Sequence, residues 1–189
     1  MSPATADGRH LVAKFYALQA TRSTGFVSPI FALFVLRDVS FVEYGVLSAV
    51  LSIVMVGGEL PTGYVGDRYG RRTSLAVSVG CTVVSLLGFV VARGFVPYLA
   101  FYVIWAFALT FASGSVDAWL YELLERHLSA DAYTTIRGRG ASVMRWTSVA
   151  TMIGGGALYV VDPAYPFLAS ATLNALGLVV LRAMPESRG

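Results

Sequence analysis

Charge is what this sequence has least of. Of its 189 residues 13% are charged and 56% are hydrophobic, and the mean hydropathy is +0.67. A soluble domain carries roughly 25% charged residues, so the shortage excludes that class and leaves a polytopic membrane protein of all-α type. Cysteine is almost missing. Cys81 stands alone inside an apolar run, which excludes an intramolecular disulfide and a cysteine metal cluster and leaves a small packing residue. The two histidines, His10 and His127, lie outside the apolar runs, and no nucleophile–base spacing stands out. No catalytic residue, metal site or cofactor is therefore expected, and the chain is not read as an enzyme. The arginines are dispersed between apolar runs with no aromatic-interleaved basic face, so no nucleic-acid partner is expected. A secretory signal is also lacking: Met1 to His10 is polar, and the first apolar segment is long, interrupted and without a cleavage site.

What is present is a series of apolar segments of spanning length, about 20 residues each. Six qualify: Leu11 to Leu36, Val42 to Tyr64, Thr73 to Ala92, Pro97 to Leu123, Ala141 to Val161 and Tyr165 to Met184. They predict one six-helix bundle, with no soluble domain. The connections are short except Glu122 to Arg139, which is charged, partly amphipathic and expected along the membrane surface. Orientation follows from the basic residues. With the N-terminus in the cytoplasm, the inner side holds Arg9, Lys14, Arg68, Arg71, Arg72, Arg126, Arg137, Arg139, Arg182 and Arg188, and the outer side only Arg37 and Arg93. Both termini are expected inside, in a multi-pass protein of the plasma membrane.

The most informative stretch is Gly63-Tyr64-Val65-Gly66-Asp67-Arg68-Tyr69-Gly70-Arg71-Arg72. Four charges and three glycines fall between two apolar segments, as in a tight turn at a membrane surface. Gly63, Asp67, Arg68, Gly70, Arg71 and Arg72 match the pattern G-x-x-x-D-R-x-G-R-R. This resembles the signature loop between helices two and three of the major facilitator superfamily, and Glu59-Leu60-Pro61-Thr62 resembles the lead-in of its exporter-like members. The resemblance implies an N-terminal six-helix half. It implies transport of a small organic solute through the bilayer by alternating access, with efflux as the direction. The signature loop would act as a conformational gate on the cytoplasmic side. It also implies an internal three-plus-three repeat and a second six-helix half, covalent in a longer parent chain or supplied by a homo- or heterodimer. The last residues, Pro185 to Gly189, fall where the family's central loop would begin. The sequence departs from drug–proton antiporters of the family: segment four has no arginine in its core, and segment five has Gly154-Gly155-Gly156 but no glycine-proline pair. That argues against proton antiport of the usual arrangement.

The apolar cores of segments one, two, four and five each carry one charge: Arg22, Glu59, Asp117 and Arg145. The cores of segments three and six carry none, and the resemblance implies that these two pack outermost, against lipid. Polar residues recur at helical spacing in segment two (Tyr44, Ser48, Ser52, Glu59), segment four (Thr110, Ser113, Asp117, Tyr121) and segment five (Arg145, Ser148, Tyr159). Such stripes face the bundle interior or water, either to hydrogen-bond between helices or to line a solute path. An ionisable residue in a span costs roughly 2.5–3.5 kcal/mol unless paired or wet. Glu59 lies about 12 Å above Asp67 along the helix, at a level that Asp117 and Arg145 also reach. A Glu59–Arg145–Asp117 cluster is the expected solution, either as a substrate or coupling site or as a static ion-pair network. Arg22 lies about 16 Å along its helix from Leu11, near the midplane, with Gln19 and Ser23 beside it. It is expected to bind solute or a coupling carboxylate, or else to snorkel toward the interface. The rival reading of the whole chain is a non-transporting membrane scaffold or regulatory half.

Overall fold

The polypeptide turns on itself with almost no loop. In a computed structural model describing residues 3–113, 115–127 and 132–185, the connections between helices are a few residues long at most, apart from one irregular stretch near the start. The helices are α1 (Pro3–Thr21), α2 (Phe31–Val35), α3 (Phe41–Tyr69), α4 (Arg71–Val91), α5 (Phe95–Ser113), α6 (Ser115–His127), α7 (Tyr133–Val161) and α8 (Tyr165–Arg182). Four stretches are long and apolar enough to cross a membrane: α3, α4, Phe95–Arg126 through α5 and α6, and α8. α1 and α7 are long enough but too polar by that measure, since α1 begins in polar sequence and α7 carries Arg137, Arg139 and Arg145. The fold is an all-α polytopic membrane bundle.

The continuous first helix expected over Leu11 to Leu36 is not formed. α1 stops at Thr21, residues 22–30 are irregular, and α2 is a short helix beyond them. Local chemistry accounts for the break. The Thr21 hydroxyl donates to Leu18 O (2.9 Å), Gly25 N donates to Ser23 Oγ (3.1 Å), and Pro29 has no N–H to offer a helix. Tertiary packing then holds it. A Cβ on Gly25 would lie 2.6 Å from Ser148 O, and one on Gly155 would lie 2.1 Å from Phe26 O. The broken backbone therefore lies directly on α7. Ser23 Oγ lies 2.9 Å from Ser148 Oγ, and Asn174 Nδ2 of α8 donates to Ser23 O (3.2 Å). Irregular backbone at this depth is tolerated when protein groups satisfy it.

α3 starts on a capping box that its sequence Ser40-Phe41-Val42-Glu43 encodes: Glu43 N donates to Ser40 Oγ (3.3 Å) and Ser40 N to Glu43 Oε2 (2.7 Å). It ends at Gly70, whose φ of 94° and ψ of 145° are open only to glycine. α4 begins at the next residue. The expected loop between helices is thus mostly the last turns of α3, with a single-residue hinge.

The core has two parts. An aromatic cluster joins α2, α4, α5 and α8. In it Phe31 lies 5.2 Å from Phe89 and 5.0 Å from Trp105, and Phe34 lies 4.3 Å from Phe167. The second part packs Phe15 and Leu18 of α1 against Leu75, Trp119, Leu123 and Leu181. α4 runs through both and is much more buried within the bundle than α3. The charge-free third segment is thus well packed within this bundle, while Val84 and Leu87 on its other face stay exposed. Ser78 Oγ donates to Ala108 O (2.6 Å), Ser74 Oγ to Phe111 O (3.3 Å), and Ser115 Oγ to Ser74 Oγ (2.8 Å). Small hydroxylated residues on one face let the α4 and α5 backbones approach closely.

Candidate functional site

The hinge gathers most of the signature residues. Arg71, on the first turn of α4, pairs with Asp67 one turn back, across Gly70, and its Nε lies 4.0 Å from Glu122 Oε1 on α6. Gly66 makes room for this: a Cβ there would stand 3.2 Å from Arg71 Nη1 and 3.4 Å from Ser115 Oγ. Arg72 Nη1 donates to Met184 O (3.0 Å) beyond the end of α8, and Lys14 Nζ of α1 donates to Ala183 O (2.8 Å). Arg68 donates to Tyr64 OH (2.8 Å) and lies over the Tyr69 ring at 5.9 Å. Gly63 is half-buried on α3, with open space where a side chain would project. The hinge therefore ties α1, α3, α4, α6 and α8 at one end of the bundle. The Asp67 side chain remains 59% exposed, so one carboxylate is oriented by Arg71 and still reachable from outside. Arg37, Asp38 and Arg93 lie at connections of the opposite end, where Tyr98 OH donates to Asp38 Oδ2 (3.1 Å). Arg188 lies outside the described residues.

The Glu59–Arg145–Asp117 cluster does not form. Asp117 is gripped instead by Arg137, through Nε to Oδ1 (2.8 Å) and Nη2 to Oδ2 (2.7 Å). This two-bonded contact raises the Arg137 pKa above its ordinary value. The reason is the start of α7. It begins at Tyr133 rather than Ala141, so Arg137 becomes helical, about two turns before Arg145, and faces α6. Arg145 is exposed on α7, and neither it nor Glu59 makes an ion pair among the described residues. Glu59 is exposed on α3, beside an open pocket of about 280 Å³ lined with Thr62, Thr110, Ser113 and Ser115. Pro61, inside α3, has no N–H for the Gly57 carbonyl, and Thr62 Oγ1 donates to Gly58 O (2.7 Å) at the same turn. The helix next to Glu59 thus lacks one backbone hydrogen bond.

Arg22 sits where α1 breaks. It is half-buried, donates from Nη1 to Gln19 Oε1 (3.2 Å), and makes no ion pair among the described residues. Asp117, the acid nearest in sequence to the α5–α6 junction, is taken by Arg137 rather than by Arg22. Arg22 lines a cavity of about 110 Å³ with Thr24, Ser78, Thr82, Trp105 and Asn174. Sequence reasoning passed over Asn174 and Ser78 because the cores of segments six and three carry no charge. Both are buried, and their helical spacing to Ser170 and to Ser74 and Ser85 was a readable signal.

Comparison with known proteins agrees with this geometry. Residues 16–189 match the Major Facilitator Superfamily. An uncharacterized MFS-type transporter of Bacillus subtilis (strain 168), YxaM, is 27% identical over 157 residues, which cover 82% of this chain. The matched region is 38% of that relative's length. With a family match across nearly all of an apolar helical bundle hinged at the signature residues, the chain belongs to the Major Facilitator Superfamily.

Proposed function

We propose that this chain forms one wall of a secondary active transporter that moves a small organic solute across the plasma membrane by alternating access. The observation that carries the reading is α3. It is 29 residues long and apolar, little of it is buried within the bundle, and a polar pocket around Glu59 opens beside it. A spanning helix with this character belongs between two bundles, and transporters of this kind place their site between two repeats. The second six-helix half is either covalent in a longer parent chain or a dimer partner. Both termini and the Gly70 hinge lie on the cytoplasmic side, where Asp67 meets the opposing half when that side is closed. Arg68, Arg71 and Arg72 hold the gate and face anionic lipid. Arg22, Glu59, Asp117 and Arg145 serve substrate binding or coupling. Outward transport rests on the exporter-like lead-in at Glu59-Leu60-Pro61-Thr62.

The test has two stages. A thermal-stability screen of the purified protein against drugs, sugars and organic acids identifies a ligand, and proteoliposomes then measure its flux with and without a second bundle. Flux that needs the second bundle, and that Asp67→Asn slows while shifting cysteine accessibility toward the inward-open state, is expected. A ligand that binds but is never moved by the complete assembly would favour the scaffold reading.

A further inference from the structure

Two neighbouring cavities share walls and differ in chemistry. The first is the cavity of about 110 Å³ at Arg22, with Ser78, Thr82 and Asn174 around it. The second, of about 270 Å³, is lined by Val27, Phe31, Tyr44 and Leu86. Thr24 and Trp105 line both. They therefore adjoin across the broken stretch after α1, one end cationic and polar, the other aromatic and apolar.

We propose that the paired cavities form one binding site for an aromatic carboxylate, with the carboxylate on Arg22 and the ring between Phe31, Tyr44 and Trp105. Arg22 is the only charged residue lining either cavity among the described residues. Its hydrogen-bond partner, Gln19, is neutral, it makes no ion pair among the described residues, and Asp117 is held by Arg137. A half-buried guanidinium without a pairing acid favours an incoming anion, and its planar fork suits a carboxylate. Thr24, on the shared wall, supplies a hydroxyl where charge gives way to ring. The aromatic chamber has the lining that small-molecule sites show, mostly apolar with a few fixed polar groups, and the two chambers together reach the lower end of their size. A cation is disfavoured because no carboxylate lines either chamber. A bare inorganic anion would leave the aromatic chamber unused. The break in α1 creates the junction, because a continuous helix over residues 22–30 would carry Thr24 and Phe31 on a single cylinder rather than around two chambers.

This inference names the solute class of the site and rests on the transporter reading only for calling that ligand a solute. The test is calorimetric binding to the protein in lipid nanodiscs, with three probes of one shape: 2-naphthoate, 2-naphthylmethanol and 2-naphthylmethylamine. The unmutated protein is expected to bind naphthoate about tenfold more tightly than the alcohol, the factor one charged hydrogen bond supplies, and the amine most weakly. Arg22→Gln is expected to bring naphthoate down to the affinity of the alcohol, with Arg22→Lys between. Trp105→Leu is expected to weaken naphthoate and the alcohol alike. The proposal is overturned if naphthoate does not bind, if the alcohol or the amine binds as tightly, or if folded Arg22→Gln retains full affinity. The probe series in the unmutated protein decides the matter even if a variant misfolds. Binding without flux in the complete assembly would sink the transporter reading and leave the site standing. Flux of a different solute with no naphthoate binding would do the reverse.

Discussion

α3 and α4 are consecutive, both apolar enough to span a membrane, and separated by one glycine, yet they play opposite parts. α4 is the central helix of the bundle, packed against α5 and α8. α3 leaves most of its surface open, with Ile53, Val56 and Leu60 exposed. Apolarity does not separate them; the distribution of small residues does. On α4, Ser74, Ser78, Ser85 and Gly88 are buried along one face. On α3, Gly58 and Gly66 lie under Thr110 and Arg71, but Gly45, Gly57 and Gly63 meet nothing within 4 Å. A small residue under a neighbouring helix permits close packing, and the same residue on an open face leaves a shallow surface for something else to approach. The lesson is that hydropathy places a helix in the membrane, while the pattern of small side chains tells which neighbour it serves.

The largest way to break the comparison is to enlarge a glycine on each helix. A Cβ at Gly88 would stand 2.2 Å from the Phe101 ring, and one at Gly57 has open space. Both valines carry the same helix propensity, so Gly88→Val is expected to be less stable than Gly57→Val by about 1–3 kcal/mol, the usual cost of overpacking. Thermal unfolding in detergent measures it, and equal melting temperatures would mean that α4 is no more tightly packed than α3. The hinge comes next. Gly70→Ala forces a side chain into a conformation reserved for glycine and is expected to cost about 1–3 kcal/mol, whereas Gly63→Ala in the last turns of α3 is expected to be neutral or stabilising.

Smaller effects sharpen the picture at the charged end. Asp117 and Arg137 are about half exposed, so a double-mutant cycle is expected to give a coupling of about 0–1 kcal/mol. The same cycle between Asp117 and Arg145 is expected to give none. Coupling to Arg145 would restore the cluster that the sequence suggested. Smallest is Ser78→Ala, which removes one interhelical hydrogen bond and is expected to cost about 0.6 kcal/mol, against no measurable loss for Ser52→Ala on the open side of α3. An equal loss at both positions would show that Ser52 also has a neighbour in the membrane.

Much of the fold was legible because its signals are local. Apolar runs place α3, α4, α5 and α8, and the glycine-arginine signature places the hinge and its family. The contact of Arg71 with Glu122 was also readable, since both lie near helix ends on one expected membrane face. The misses are long-range. The break at Arg22 depends on Gly155 and Ser148, more than a hundred residues away, which accept an irregular backbone that propensity alone would have bent at Pro29. Arg137 was read as part of a loop because the polar start of α7 does not resemble a span, and that hid its claim on Asp117. The hydrogen bonds of α4 to α5 were missed because attention to charge overlooked its serines.

The most direct test of the account is whether α3 borders water and exposed α4 borders lipid. Cys81 is replaced by serine, and single cysteines are introduced as Ser52→Cys and Glu59→Cys on α3, and as Val84→Cys and Leu87→Cys on the exposed face of α4. Each is challenged in the native membrane with a membrane-impermeant thiol reagent applied from either side. The account predicts that the α3 positions react, from a side that changes when the transporter is trapped inward- or outward-open, and that the α4 positions stay inert from both sides. If Ser52→Cys and Glu59→Cys are as inert as Val84→Cys and Leu87→Cys, α3 faces lipid and lines no solute pathway.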